Sequence, residues 1–133
     1  MNAPALEYIF HPRSIALVGA ATDPAHWFIN EFYIDSLVKF GYTGQMYAVN
    51  AKGGEAKGMK IYRSLADIDG PVDHVVSAIP AQNCPSLVRE CRDRGVKVVQ
   101  FYTAGFAETG DPEGIALQNE IAEIARGSGM RLL

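Results

Sequence analysis

Ser14-Ile15-Ala16-Leu17-Val18-Gly19-Ala20-Ala21-Thr22-Asp23-Pro24 is a short apolar run that delivers a turn of small residues into a long amphipathic segment. Read as strand, turn and helix, it is the opening unit of a parallel α/β sheet. Its apolar residues are successive rather than alternating, which suits a central strand buried on both faces. The small residues of the turn let backbone N–H groups approach an anion closely, and a helix start adds free N–H groups and partial positive charge. The turn is therefore the default place for a phosphate-bearing ligand.

Outward from this unit the same pattern repeats. A helix is expected from Ala25 to Phe40, ended by Gly41 in a left-handed cap. A second strand follows at Gln45 to Val49, then a glycine- and lysine-rich loop over 50–58, a short extended piece at Lys60 to Tyr62, and a brief helix with Ser64 and Asp67 as a capping box. Strand three is expected at His74 to Ile79, stopped by Pro80. A helix capped by Asn83 carries Leu87, Val88 and Cys91 on its apolar stripe and stops at Gly95. Strand four runs from Val96 to Tyr102. Asp111 and Pro112 open a last helix whose Leu117, Ile121, Ile124 and Ala125 form one face, and Met130 to Leu133 begins a fifth strand. Upstream, Pro4 and Pro12 mark residues 1–13 as an irregular lead-in. The whole reads as one domain, a doubly wound parallel sheet of about five strands, with loops 19–24, 50–58, 79–83 and 103–110 converging beyond the strands' carboxyl ends.

Composition narrows the partners. The chain has 133 residues, is 48% hydrophobic and carries a formal net charge of −3, enough for one packed core and without the basic footprint of a nucleic-acid or anionic-membrane binder. The longest apolar run, Ile15 to Ala21, is far short of the roughly 20 residues a membrane span needs. Residues 1–10 hold no Lys or Arg and no cleavage-type ending, so no secretory signal is read there and a cytoplasmic location is expected. Cys84 and Cys91 lie seven residues apart on one expected helix, roughly 10 Å along its axis, too far for a disulfide. With no CxxC spacing and no nearby His they read as buried free thiols, and no metal site is expected.

The loops exclude two familiar ligand motifs. GxGxxG is absent, since the next glycine after Gly19 is Gly41, and no acid closes the second strand, which ends at Asn50 with Lys52 beyond it. A lysine there favours a ligand with an extra phosphate on its ribose over plain NAD. No GK[ST] follows Gly19, so a Walker loop is absent as well. His11 and His26 read as surface or interface residues and His74 as a packed one. No nucleophile elbow or Ser-His-Asp order is present, and Glu108 alone is placed as an acid or base, with helix-start electrostatics explaining it equally well. No catalytic residue is assigned.

Four stretches in order, Phe10-His11-Pro12-Arg13-Ser14-Ile15-Ala16-Leu17-Val18-Gly19-Ala20, Tyr47-Ala48-Val49-Asn50, Ala78-Ile79-Pro80-Ala81 and Thr103-Ala104-Gly105-Phe106-Ala107-Glu108-Thr109-Gly110, resemble the N-terminal CoA-binding domain of NDP-forming acyl-CoA synthetases, related to the α subunit of succinyl-CoA synthetase. The resemblance implies coenzyme A as cofactor. It implies that Gly19, Ala20, Ala21, Thr22, Asp23 and Pro24 hold the CoA phosphates, that Asn50 and Lys52 with the glycines after them receive the 3′-phosphate end, that Ile79 and Pro80 line the nucleotide, and that Thr103, Ala104 and Gly105 line the pantetheine path. It further implies downstream ligase and nucleotide-grasp domains, a phosphorylated histidine in a domain past Leu133, and an isolated domain without catalysis. Ala21 stands where the family often has Ser, and His26-Trp27-Phe28 where many members have another glycine.

A second reading is a non-catalytic NAD(P)- or CoA-sensing regulatory domain. A third, protein interaction, comes from the first long helix, whose Trp27, Phe28, Phe32, Tyr33, Leu37, Val38 and Phe40 cover more than one face. Part of that surface is expected to dock a partner domain or a second copy.

Overall fold

A computed structural model describes residues 3–133. Its centre is β1 (Ser14–Val18), every residue of which is buried. Ile15 and Leu17 point into one core cluster, with Ala48, Ile61, Val76 and Ile34. Ala16 and Val18 point into the other, with Val75, Val99, Leu87, Val88, Cys91 and Ile121. The unbroken apolar run is thus a strand covered on both faces.

The other strands are β2 (Gln45–Val49), β3 (Gly54–Ala56), β4 (Met59–Tyr62), β5 (His74–Ser77), β6 (Val98–Phe101) and β7 (Arg131–Leu132). They form one sheet in the order β3-β4-β2-β1-β5-β6-β7. All neighbours are parallel except the β3–β4 hairpin. The order reverses at β1, with Ser14 opposite Gln45 on one side and Ile15 opposite His74 on the other, so the crevice between β1 and β5 is the topological switch point. The sheet has seven strands rather than about five. Part of the excess is β3, which lies inside the stretch expected to be loop. Lys57 (φ +50) and Gly58 (φ +78) make its two-residue turn, the left-handed pair that matches strand twist.

On one face lie α4 (Cys84–Arg94) and α5 (Pro112–Ala125). Gly95 stops α4 at φ +80, and Asp111 caps α5 by accepting from the Glu113 N–H with Pro112 in the first turn, both as the sequence indicates. Asn83 does not cap α4 through its side chain. It is the end of a 3-10 turn, Ala81–Asn83, that runs directly into the helix. The Ser64 side chain likewise makes no cap, and a 3-10 turn stands at Leu65–Asp67. β5 ends at Ser77, two residues before the expected Ile79, and β6 is trimmed at both ends.

On the opposite face the long helix is interrupted. A 3-10 turn at Pro24–His26 leads to α2 (Phe28–Asn30), a π-helical stretch at Glu31–Asp35 and α3 (Ser36–Lys39). The Ser36 N–H reaches the Glu31 carbonyl five residues back. The lead-in is also regular. α1 (Ala3–Phe10) packs over β6, because Pro4 sits in its first turn, where no N–H is needed, and Pro12 lies beyond its end. Among the described residues no helix is long and apolar enough to cross a membrane.

One clamp fastens the amino ends of the central strands. The Arg13 guanidinium donates to both oxygens of Asp73 at 2.8 Å, and the Arg13 backbone N–H adds a third bond at 2.9 Å. The Ser14 hydroxyl donates to the Pro71 carbonyl and accepts from the Asp73 N–H.

Candidate functional site

Gly19 has φ +97, and a Cβ there would stand 2.7 Å from the Ala78 carbonyl carbon and oxygen. No side chain fits between the turn and the chain leaving β5. The turn itself is tightly bonded. The Gly19 and Ala20 N–H groups both donate to the Val49 carbonyl at 2.9 and 3.0 Å. The Ala21 N–H donates to Asn30 Oδ1 at 2.8 Å, and Asn30 Nδ2 returns a bond to the Ala21 carbonyl at 3.0 Å. Asn50 Nδ2 donates to the Ala20 carbonyl, while its Oδ1 accepts from the Lys52 N–H. These three turn amides are engaged within the chain.

Asp23 caps the 3-10 turn by accepting from the Ala25 N–H at 3.0 Å, and His26 Nδ1 lies 2.9 Å from the same carboxylate. The hydrogen bond from His26 holds the Asp23 carboxyl below the usual range. Thr22 is half-buried and Pro24 exposed.

The loops after β5 and β6 are tied by hydroxyls. Thr103 Oγ1 donates to the Ile79 carbonyl at 2.6 Å and stands 3.2 Å from the fully buried Ser77 hydroxyl. Cys84 Sγ donates weakly to the Pro80 carbonyl at 3.7 Å, and burial pushes its thiol pKa up. Gly105, at φ +110, lets its loop approach Ala81, whose Cβ would be 3.3 Å from an added one. Glu108 accepts from the Gly105 and Phe106 N–H groups at 2.6 and 3.1 Å, bonds that hold its carboxyl below the usual range. It caps its own loop, which accounts for the acidic residue without acid–base work.

Between α4 and the loops after β1, β2, β4 and β5 opens a cleft of about 480 Å³, within the size range of small-molecule sites. Of the residues expected at a site, Gly19, Asn50 and Ile79 line it. Ala20 and Ala21 are buried and, with Thr22, Asp23, Pro24, Lys52, Pro80, Thr103, Ala104 and Gly105, lie outside the lining. Sequence reasoning missed Arg63, Ser64 and Leu65 on one wall and Gln82, Ser86 and Glu90 on the other. Two signals point to them. Arg63 follows the last residue of β4, at the carboxyl end of a parallel strand, and Gln82, Ser86 and Glu90 recur every four residues along one stripe of α4 and the turn before it.

A second groove, of about 300 Å³, lies between α1, the α2–α3 helix and the sheet, lined by Phe10, Phe32, Phe40, Tyr42 and His74 among others. His74 is buried, and desolvation pushes its imidazole pKa down, so it is a packed residue as expected. Phe28, Phe32 and Phe40 are 57%, 63% and 84% exposed, and Phe32, Tyr33 and Tyr102 stack edge to face.

Comparison with known proteins gives one answer. A family model described as CoA binding domain matches residues 13–133. Over 132 residues the chain is 39% identical to the alpha subunit of an ADP-forming acetate–CoA ligase of Pyrococcus furiosus, covering 96% of this chain and 28% of that subunit. It is 34% identical to a trans-feruloyl-CoA synthase of an unknown prokaryotic organism, covering 94% of this chain and 17% of that one. Among solved structures, an acetyl-coenzyme A synthetase of Ca. Korarchaeum cryptofilum in complex with phosphate and ADP superposes with a TM-score of 0.84 at 32% identity, covering 96% of this chain and 26% of that chain. The chain therefore spans about a quarter of the length of such relatives or less.

Proposed function

The chain belongs to the CoA-binding domain family, and on that premise we propose that it binds coenzyme A in the cleft at the switch point and presents the thiol, as one domain of an NDP-forming acyl-CoA ligase, to an acyl phosphate made by other domains. The observation that carries the reading is the cleft itself, where Gly19, Asn50 and Ile79 from three different loops meet beside Arg63. Thr22 and Pro24, beyond the turn amides already bonded within the chain, border the phosphate side, with Lys52 near the 3′-phosphate. Ile79 and Pro80 pack the nucleotide, and Thr103, Ala104 and Gly105 guide the pantetheine arm.

Residues 1–133 act as a single CoA-binding domain within a longer ligase, with downstream ligase and nucleotide-grasp domains as partners. The isolated chain has no turnover, because no group among the described residues is poised to form an acyl phosphate. Relatives named as CoA ligases or a CoA synthase for different acids support this over a sensing role. The exposed aromatic face of the α2–α3 helix is a second contact, a homodimer seam. The two buried free thiols suit a reducing cytoplasm.

Isothermal titration calorimetry with CoA, dephospho-CoA and NADPH tests the ligand. CoA is expected to bind most tightly, with dephospho-CoA weaker by about tenfold for one lost charged contact. Absence of CoA binding at millimolar concentration would refute the assignment, and equal affinity for dephospho-CoA would remove Lys52 from the 3′-phosphate.

A further inference from the structure

Asn30 ends α2 and is buried at 7% exposure, a primary amide beside Ile34, Ala48, Ala56 and Ile61. An amide in apolar surroundings is costly unless its polar atoms are paired, and those of Asn30 are both paired with one residue. Its Oδ1 accepts from the Ala21 N–H at 2.8 Å, and its Nδ2 donates to the Ala21 carbonyl at 3.0 Å. These partners fix which way the amide faces, since the N–H demands an acceptor and the carbonyl a donor. An apolar side chain of similar size would fit that layer without the desolvation cost. What the asparagine adds is the conformation of Ala21.

The turn after β1 is held from two sides. From the β2 side the Val49 carbonyl receives the Gly19 and Ala20 N–H groups, and Asn50 Nδ2 donates to the Ala20 carbonyl at 2.9 Å. From the helix side, among the described residues, Asn30 alone bonds Ala21, the last residue before the chain leaves as Thr22-Asp23-Pro24. Asn50 lines the cleft and Asn30 does not. Losing Asn30 therefore frees the turn while leaving every lining residue in place. A segment ordered before its ligand arrives spares the cost of ordering it on binding. Resting on the CoA-binding reading above, we propose that Asn30 is a positioning residue for the ligand, holding the Ala21 peptide so that Thr22 to Pro24 stand preformed at the phosphate side of the cleft.

Calorimetry with CoA on the wild type, Asn30→Asp and Asn30→Ala tests this at about pH 8 and about pH 5, a range that spans the titration of a buried carboxyl. Each protein's unfolding midpoint is measured under the same conditions. Aspartate has the shape of asparagine, but its carboxylate only accepts. At the higher pH it meets the Ala21 carbonyl without a donor, and CoA is expected to bind about tenfold more weakly than to the wild type. Burial raises the pKa of the introduced carboxyl, and the protonated acid again offers one donor and one acceptor. Asp35 and Lys57 line the same small recess with opposite charges, so burial sets the direction. At the lower pH the affinity ratio to the wild type is expected to return toward one, with the titration of CoA itself cancelling in that ratio. Asn30→Ala can make neither bond and is expected to stay about tenfold weaker at both pH values. A purely structural Asn30 would lower the unfolding midpoints but leave the folded variants with wild-type CoA affinity at both pH values, which would overturn the proposal. Should Asn30→Asp not fold at the higher pH, the affinity of folded Asn30→Ala decides in the same way. A wild-type chain that fails to bind CoA would remove the ligand reading and the positioning role together.

Discussion

Asp73 concentrates the residue-level energetics at the amino ends of the central strands. Its carboxylate is almost fully buried, yet it receives two bonds from the Arg13 guanidinium and one from the Arg13 N–H. The side-chain bond from Arg13 holds its carboxyl below the usual range against the opposing effect of desolvation. A carboxyl with a folded-state pKa below its unfolded value of about 3.9 stabilises the fold above that value and loses the contribution as pH falls through the folded one. Asp73→Asn is therefore expected to lower stability by about 2 kcal/mol at neutral pH and to flatten the fall in stability below about pH 4. Urea unfolding of both proteins across that range measures it, and parallel pH profiles would show that Asp73 is not the titrating group. Gly19 works by a different logic at the same scale. Its left-handed φ and the 2.7 Å approach to Ala78 explain the glycine through packing alone, so its presence in the turn argues for topology before it argues for a ligand.

At the scale of elements, legibility followed the strength of local signals. The span of β1 was readable because five successive apolar residues have no other home than a strand buried on both sides. The ends of the helices before Gly41 and Gly95 were readable because both glycines take the left-handed conformation that stops a helix, at φ +86 and +80. α1 was not, because Pro4 breaks a helix everywhere except in its first turn. β3 was hidden because it is three residues long and its hairpin turns on Lys57-Gly58 rather than on Asn-Gly. Lys57 earns its awkward backbone through its side chain. Nζ lies 2.5 Å from Glu31 and 3.8 Å from Asp35 in the π-helical stretch, and 5.5 Å from the Trp27 ring centroid. The hairpin tip is thus latched to the helix across the sheet edge. Lys57 and Glu31 side chains are 41% and 53% exposed, so the latch is screened by salt and adds little to global stability. Lys57→Asn keeps a favourable turn and deletes the latch. Hydrogen exchange is expected to speed up several-fold at the β3–β4 amides with an almost unchanged unfolding midpoint, and high salt is expected to mimic it in the wild type. Protection unchanged in both would mean that strand pairing alone holds the hairpin.

For the molecule as a whole, double winding explains why the site was half-visible. A parallel sheet that reverses at β1 brings the loops after β1, β2 and β5 to one crevice, so Gly19, Asn50 and Ile79 could be found from strand ends alone. Arg63, Gln82, Ser86 and Glu90 carried weaker signals, a strand end and a four-residue stripe, because their membership also depends on how closely α4 lies over the turn after β4. The same winding leaves the two faces unequal. α4 and α5 cover one, while the other carries α1 and an interrupted helix whose Phe28, Phe32 and Phe40 are more than half exposed, together with an apolar groove at their feet. Aromatic rings clustered on one face of a small chain are costly to leave in water and are the usual centre of a contact. If that contact is a second copy, light scattering on the isolated chain is expected to give twice its 14.4 kDa mass, and Phe32→Asp is expected to return it to a monomer. CoA affinity should be unchanged in that variant, because Phe32 lines the groove on the opposite face and not the ligand cleft. A wild-type chain that stays at the single-chain mass would rule out the homodimer and leave the aromatic face to another domain or partner, whereas loss of CoA binding in Phe32→Asp would mean that the two faces are coupled through β1, which lines both.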